Sequence, residues 1–128
     1  KPKTLFTAQF IGSPAMNILK GECQSNQINL SSGAVLKTNS KYNGKVNVGL
    51  RPEDFMINEK GPIKLKVELV ELIGANTLIH GRLETTNEIL VVSIAGVINE
   101  RKIGNSINLS FDENKLHLFD ISSNQRID

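Results

Sequence analysis

Two histidines, one cysteine and one adjacent carboxylate pair are the side chains here with the clearest capacity for acid–base, nucleophilic or metal chemistry: His80, His117, Cys23 and Glu53-Asp54. A metal site needs ligands spaced so that the chain brings them to one point, and neither histidine has such a partner. Each falls at a polar position of an alternating run, so both are expected as half-exposed surface histidines. Cys23 is alone, which excludes an internal disulfide and fits a reducing, cytoplasmic compartment. Lys20 is the only basic residue near it in sequence, so the thiol is expected to be buried or half-buried and inert. Glu53 and Asp54 follow Pro52, and adjacent residues point in different directions. A turn or helix N-terminus is the simpler account of that pair than a shared catalytic proton.

No Gly-x-x-x-x-Gly-Lys-Ser/Thr loop occurs, so the chain cannot cradle a nucleoside triphosphate by that route. Gly44-Lys45 lacks the upstream glycine and the following hydroxyl, and Leu30-Ser31-Ser32-Gly33 lies between strand patterns rather than opening a helix. No cofactor and no metal are expected. The net charge of +2 is small and dispersed, which argues against nucleic acid or anionic lipid as partner. The aromatics are Phe6, Phe10, Tyr42, Phe55, Phe111 and Phe119, and three of these (Phe6, Phe10 and Phe111) fall on expected core positions. Little is left on which bases could stack. There is no run long enough to span a bilayer and no secretory signal.

The elements that must position these side chains are short. Leu5, Ala8 and Ile11 share one side of a helix over about residues 3–11, with Phe6 and Phe10 beside them at i, i+4. Gly12 can end that helix in the left-handed conformation, and Pro14 prevents its resumption. Alternating apolar runs then predict strands at 17–23, 27–30, 34–38 and 45–50, with turns at Ser25-Asn26 and Ser31-Ser32-Gly33. Residues 39–44 form the most loop-like stretch. Pro52 ends the fourth strand, since it removes a ladder donor and biases Arg51 to extended geometry. Ile63, Leu65, Val67 and Leu69 alternate with charged residues until the pattern slips at Val70, where a bulge or sharp coil is expected. Strands follow at 78–84 and 88–94, the latter so apolar that both its faces should be covered. Ile107, Leu109 and Phe111, the turn Asp112-Glu113-Asn114, and then Leu116 and Leu118 read as a hairpin with a three-residue loop. Glycines 44, 49, 74, 81 and 104 fall at turns or kinks, as the corners of a small barrel require. Periodicity and length together reach one small closed β domain.

Four separated phrases carry a family resemblance. Residues 6–17 are similar to the segment just after the nucleotide-binding domain in ATPase subunits of bacterial carbohydrate importers, the maltose and glycerol-3-phosphate type of ABC transporter. Gly49-Leu50-Arg51-Pro52-Glu53 resembles the phrase that opens the second half of that family's regulatory domain. Val67, Glu71, Gly74 and Thr77 look like its Val-x-x-x-Glu-x-x-Gly-x-x-Thr strand and turn. Leu116-His117-Leu118-Phe119-Asp120 is similar to its last strand. Thr7 stands where the family commonly has Val, and Asn124 where a Gly often precedes the final Arg-Ile, here Arg126-Ile127. Asn tolerates positive φ better than other side chains, so that turn can survive. Residues 23–43 match poorly.

The resemblance implies an all-β fold, an OB-like β-barrel of the MOP/TOBE type with a short N-terminal helix. It implies a single regulatory domain over 1–128, with 1–12 as the helix and connection from a missing ATPase domain and 13–128 as the barrel. Lys1 opens the chain without Met, which fits an excised tail. The implied function is non-catalytic regulation and dimerisation of an ATP-binding subunit for sugar or glycerol-3-phosphate uptake. Such a subunit is cytoplasmic and peripheral to the bacterial inner membrane. Its partners would be a second copy, the membrane subunits through the ATPase domain, and a regulatory protein. The candidate interface residues are Arg51 and Glu53, Ile73 and Gly74, and Phe119 and Asp120, with Phe119 as an exposed aromatic at a strand end. Two alternatives remain. One is a small oxyanion sensor with a backbone nest around Ser13 or Gly74. The other is a nucleic-acid-binding OB barrel.

Overall fold

The computed structural model describes residues 16–96, 105–123 and 125–127. The helix expected over 3–11, Gly104 and Asn124 lie outside the described residues. Among the described residues ten strands form two five-stranded antiparallel sheets, so the all-β expectation holds. They divide into two compact units, one made of the chain up to Arg51 and from Asp112 onward, the other of Pro52–Phe111.

The first unit contains β1 (Asn17–Gln24), β2 (Gln27–Leu30), β3 (Val35–Lys37), β4 (Gly44–Leu50) and β10 (His117–Asp120), in the order β10-β4-β1-β2-β3. Ser25 and Asn26 join β1 to β2 with φ of 53° and 63°. Positive φ at both central positions is the type I′ hairpin, whose twist matches that of the strands it joins. Leu19 and Cys23 alternate inward along β1 as the sequence pattern requires. Asn17 is buried and donates from Nδ2 to the Leu50 carbonyl at 3.0 Å, which satisfies a polar group at the start of the sheet. Lys37, ending β3, donates its N–H to the Glu113 carboxylate just before β10, so the two ends of the strand order are tied on that side. Residues 39–43 are loop as expected, but a built loop: Ser40 N–H donates to Thr38 Oγ1 and Tyr42 N–H to Ser40 Oγ.

The second unit contains β5 (Phe55–Ile57), β6 (Ile63–Ile73), β7 (Asn76–Leu83), β8 (Ile89–Ala95) and β9 (Ser106–Phe111), in the order β5-β9-β6-β7-β8. Pro52–Asp54 form one 3-10 turn, the turn expected for the Glu53-Asp54 pair. The two edge strands, β5 and β8, approach each other, so this sheet curls toward closure. Phe55 and Phe111 are paired in register and meet edge to face, with ring centroids 4.9 Å apart. Gly81 is bare for a reason: a side chain there would run into the Lys66 carbonyl across the β6–β7 ladder.

The expected slip in β6 is a bulge placed slightly earlier. Val67 faces Gly81 and Leu69 faces His80, so Glu68 is the extra residue. Before it, Ile63, Leu65 and Val67 point inward; after it, Val70 lies opposite the buried Ile79.

Three expectations need correction. The hairpin read across residues 107–118 does not exist: β9 pairs with β5 and β6, and β10 pairs with β4. Asp112 caps a 3-10 turn, Glu113–Lys115, where the chain passes from one unit to the other. Alternation marks a strand but does not name its partner. The strand at 88–94 is not covered on both faces either. It is the edge strand β8, with Leu90 and Val92 buried and Ile89 exposed. Finally, His117 is 7% exposed rather than half-exposed. It pairs with Gly49, whose missing side chain lets β10 pack closely.

Candidate functional site

The six interface candidates divide between the two units, with Arg51, Phe119 and Asp120 in the first and Glu53, Ile73 and Gly74 in the second. Arg51 is half-buried at the end of the first unit, and Glu53 is exposed in the turn that opens the second. Ile73 and Gly74 sit at the β6–β7 hairpin tip. Gly74 has a φ of 63° while Ala75 does not have a positive φ, the arrangement of a type II′ turn with Gly first. Thr77, two residues beyond Ala75, is fully buried and donates from Oγ1 to the Gly96 carbonyl at 2.6 Å. The spacing of Gly74 and Thr77 therefore builds the hairpin.

Phe119 corrects the sequence reading. It is 1% exposed and covers Gly49, where an added Cβ would lie 3.0 Å from the Phe119 ring. The chain also turns back after β10: Asp120 N–H donates to the Gln125 carbonyl, Ile127 N–H to the Leu118 carbonyl, and Arg126 bridges Phe119. An aromatic near the terminus was expected at the surface, yet residues 125–127 pair along the edge of its strand. Asp120 is half-buried and accepts from Ser123 Oγ, Ser123 N–H and Tyr42 Oη. The Ser123 hydroxyl and N–H, with Tyr42 behind them, hold its carboxyl below the usual range, and the same bond to Asp120 raises the Tyr42 phenol.

Cys23 is buried, which raises its thiol pKa and keeps it protonated. His80 Nε2 contacts Glu71 Oε1 at 2.6 Å on an exposed strand face. Among the described residues no three His, Cys, Asp or Glu converge as a metal site would need. An open cleft of about 410 Å³ on the first unit lies among Lys20, Glu22, Asn29 and Lys45. Glu22 is directly opposite Lys45 in register, and a carboxylate beside the lysine disfavours a bound anion. Gly74, one of the two places considered for an oxyanion nest, is flanked by Leu72, Ile73 and Ala75 at an apolar tip. Ser13 lies outside the described residues.

The sequence reading named Ile73 at the end of β6 but not the exposed Leu69 and Leu72 before it. Leu69, Leu72 and Ile73 are 48%, 56% and 54% exposed. Along β6, β9 pairs with Ile63–Lys66 and adds one bond from Val67 N–H to the Asn105 carbonyl. Among the described residues no strand lies beside residues 68–73 on that side. The signal was present as two apolar doublets, Leu69-Val70 and Leu72-Ile73, just past the slip in alternation.

Two family models match the chain, the MalK OB fold domain over residues 12–55 and the TOBE domain over residues 48–119. The chain is 40% identical over 127 residues to the sn-glycerol-3-phosphate import ATP-binding protein UgpC of Ruegeria pomeroyi, covering 99% of this chain and 36% of that protein. It is 38% identical over 136 residues to the protein of the same name from Shigella sonnei, covering 99% and 37%. The chain therefore spans just over a third of the length of these curated relatives. A crystal structure of the cytoplasmic molybdate-binding protein ModG with molybdate bound has a TM-score of 0.60, covering 80% of this chain and 94% of that one at 14% identity. That likeness is one of fold.

Proposed function

The chain belongs to the TOBE domain family, and from that premise we propose that it is the non-catalytic regulatory and dimerisation domain of an importer's ATP-binding subunit for glycerol-3-phosphate or sugar uptake. The observation that carries this reading is the likeness of 99% of the chain to just over a third of proteins named for glycerol-3-phosphate import. The matched region carries no phosphate-binding loop, so ATP chemistry would belong to the rest of such a subunit. The two compact units act as one regulatory domain over 1–128, with 1–12 as connection and 13–128 as the β-structure. The partners are a second copy, the membrane subunits reached through the ATPase domain, and a regulatory protein. The subunit sits on the cytoplasmic side, peripheral to the inner membrane. No helix among the described residues is long and apolar enough to cross a membrane.

The mechanism is mechanical. ATPase domains separate and rejoin in each cycle, and paired tails keep the two at high effective concentration for rejoining. A regulatory protein that bound the tails in one state would shift that equilibrium by its difference in affinity for the two states. The test is a graft. Residues 1–128 replace the matching C-terminal region of Escherichia coli UgpC, and glycerol-3-phosphate uptake is compared with the parent and with a tailless truncation. Uptake above the tailless control is expected. A graft that folds and is expressed, yet transports no better than the truncation, would sink the reading.

A further inference from the structure

The two-residue turn at Gly74-Ala75 fixes which backbone groups of β6 face β7. Ile73 and Asn76 close the hairpin as a hydrogen-bonded pair, and Glu71–Leu78 and Leu69–His80 follow at every second position. The bond from Gly96 N–H to the Ala75 carbonyl agrees, since it turns the odd-numbered residues of β7 toward β8 and leaves the even ones for β6. The N–H and C=O of Val70 and Leu72 therefore point away from β7. Among the described residues nothing pairs with them. Exposed Leu69, Leu72 and Ile73 surround this edge, which is open among the described residues, and an open edge is a template for another strand.

The edge is complementary to itself. In an antiparallel pair related by a two-fold axis normal to the sheet, residues on the same face meet, so the axis must pass through a residue. An axis on Glu71 sets Val70 opposite Leu72 of the copy, as hydrogen-bonded pairs made twice, and Leu69 opposite the copy's Ile73. An axis on Val70 would set Leu69 against Glu71 and Leu72 against Glu68. An axis on Leu72 would set Ile73 against Glu71 and Val70 against Gly74. Of these three registers only the first sets each of Leu69, Val70, Leu72 and Ile73 opposite another apolar residue. It brings two Glu71 side chains together, but each already contacts its own His80 at 2.6 Å, and Glu68 is held by Arg82 at 3.3 Å. Resting on the proposed dimerisation role, we infer that residues 69–73 of β6 pair antiparallel with the same residues of a second copy, around a two-fold axis at Glu71. Four backbone hydrogen bonds and a few apolar pairs make a contact below standard size, so the isolated chain associates weakly, at micromolar or higher concentrations.

Cysteine scanning along the edge reads the register. In a non-hydrogen-bonded antiparallel pair the Cα atoms are about 4.5 Å apart, within disulfide range. Under mild oxidation Glu71→Cys should form a covalent dimer faster than Val70→Cys or Leu72→Cys, while the wild type, whose Cys23 is buried, should form none. Leu72→Pro removes an outward N–H and none that serves β7, so in sedimentation velocity it should weaken self-association about tenfold or more. Its thermal midpoint reports folding, and exposed Leu72→Lys is the variant to use if proline disturbs it. Fastest cross-linking at position 70 or 72 would overturn the axis. A wild-type dimer unaffected by Leu72→Pro or Leu72→Lys, with no cross-link at 71, would overturn the edge while leaving the dimerisation role standing. A wild type monomeric at several hundred micromolar would overturn the self-pairing, and the uptake graft would then judge the regulatory role separately.

Discussion

Tyr42 Oη donates a hydrogen bond of 3.1 Å to Asp120 Oδ1 across 78 positions of sequence, tying the loop before β4 to the end of β10. Asp120 is an acceptor in three bonds, and all of them favour its charged form. Its folded pKa is therefore below its unfolded one. The stabilisation is present above the unfolded value of about 4 and is lost as pH falls through the folded value. Urea unfolding between pH 7 and pH 2.5 should show this loss, and Asp120→Asn should flatten it. Glu84, held low by the Ser106 hydroxyl, should leave a residual acid slope in that variant. An identical acid slope in wild type and Asp120→Asn would refute the assignment.

Phe119→Ala should act on stability. The ring is buried against Gly49, and truncating a buried Phe costs about 3–5 kcal/mol. Lys41→Ala, in an exposed stretch of the loop, should stay within about 0.5 kcal/mol. Equilibrium unfolding measures both. A Phe119→Ala variant of wild-type stability would place that ring somewhere other than the core.

The two glycines of the β6–β7 hairpin should respond unequally to alanine. Gly81→Ala pushes a Cβ into the Lys66 carbonyl, a backbone atom that cannot step aside, and should cost at least about 2 kcal/mol. Gly74→Ala meets open space but must hold positive φ, at about 1–2 kcal/mol. Thermal melts of the two variants give the ranking, and the reverse order would contradict the ladder described for β6 and β7.

ATP should neither bind to this chain nor be hydrolysed by it. Calorimetric titration with Mg-ATP and a phosphate-release assay test the point. Reproducible micromolar binding would show a nucleotide site that the sequence does not reveal.

Features set by near neighbours were legible in the sequence. The Ser25-Asn26 turn, the Pro52 stop and the inward alternation of Leu19 and Cys23 depend on residues a few positions away. The β6 bulge was legible because an added residue breaks the alternation on either side of it. What escaped depends on strand partners remote in sequence. Phe119 is buried where bare Gly49 on β4 makes room for its ring and residues 125–127 pair along its strand, and His117 is buried by the same β4–β10 pairing. Leu69 continues the alternation of Ile63, Leu65 and Val67, and nothing local separates it or Leu72 from side chains that a neighbouring strand covers. Among the described residues, the end of β9 pairing at Lys66 leaves these two without a strand on that side.

The whole of Pro52–Phe111 is threaded between two strands, β4 and β10, that must lie side by side. As the chain leaves the ribosome, β4 emerges with Val46, Val48 and Leu50 in place and one edge bare. At about 5–20 residues per second, β10 follows some 4–14 s later. If Pro52–Phe111 collapses during that interval, it draws its two ends together and shortens the loop that β10 must close, which lowers the entropic cost of docking. If it does not, β4 waits as an exposed apolar edge on a nascent chain. The inserted unit thus sets how long the first unit stays at risk of aggregation, and slow-folding variants of the insert should lower soluble yield even where the finished fold is unharmed.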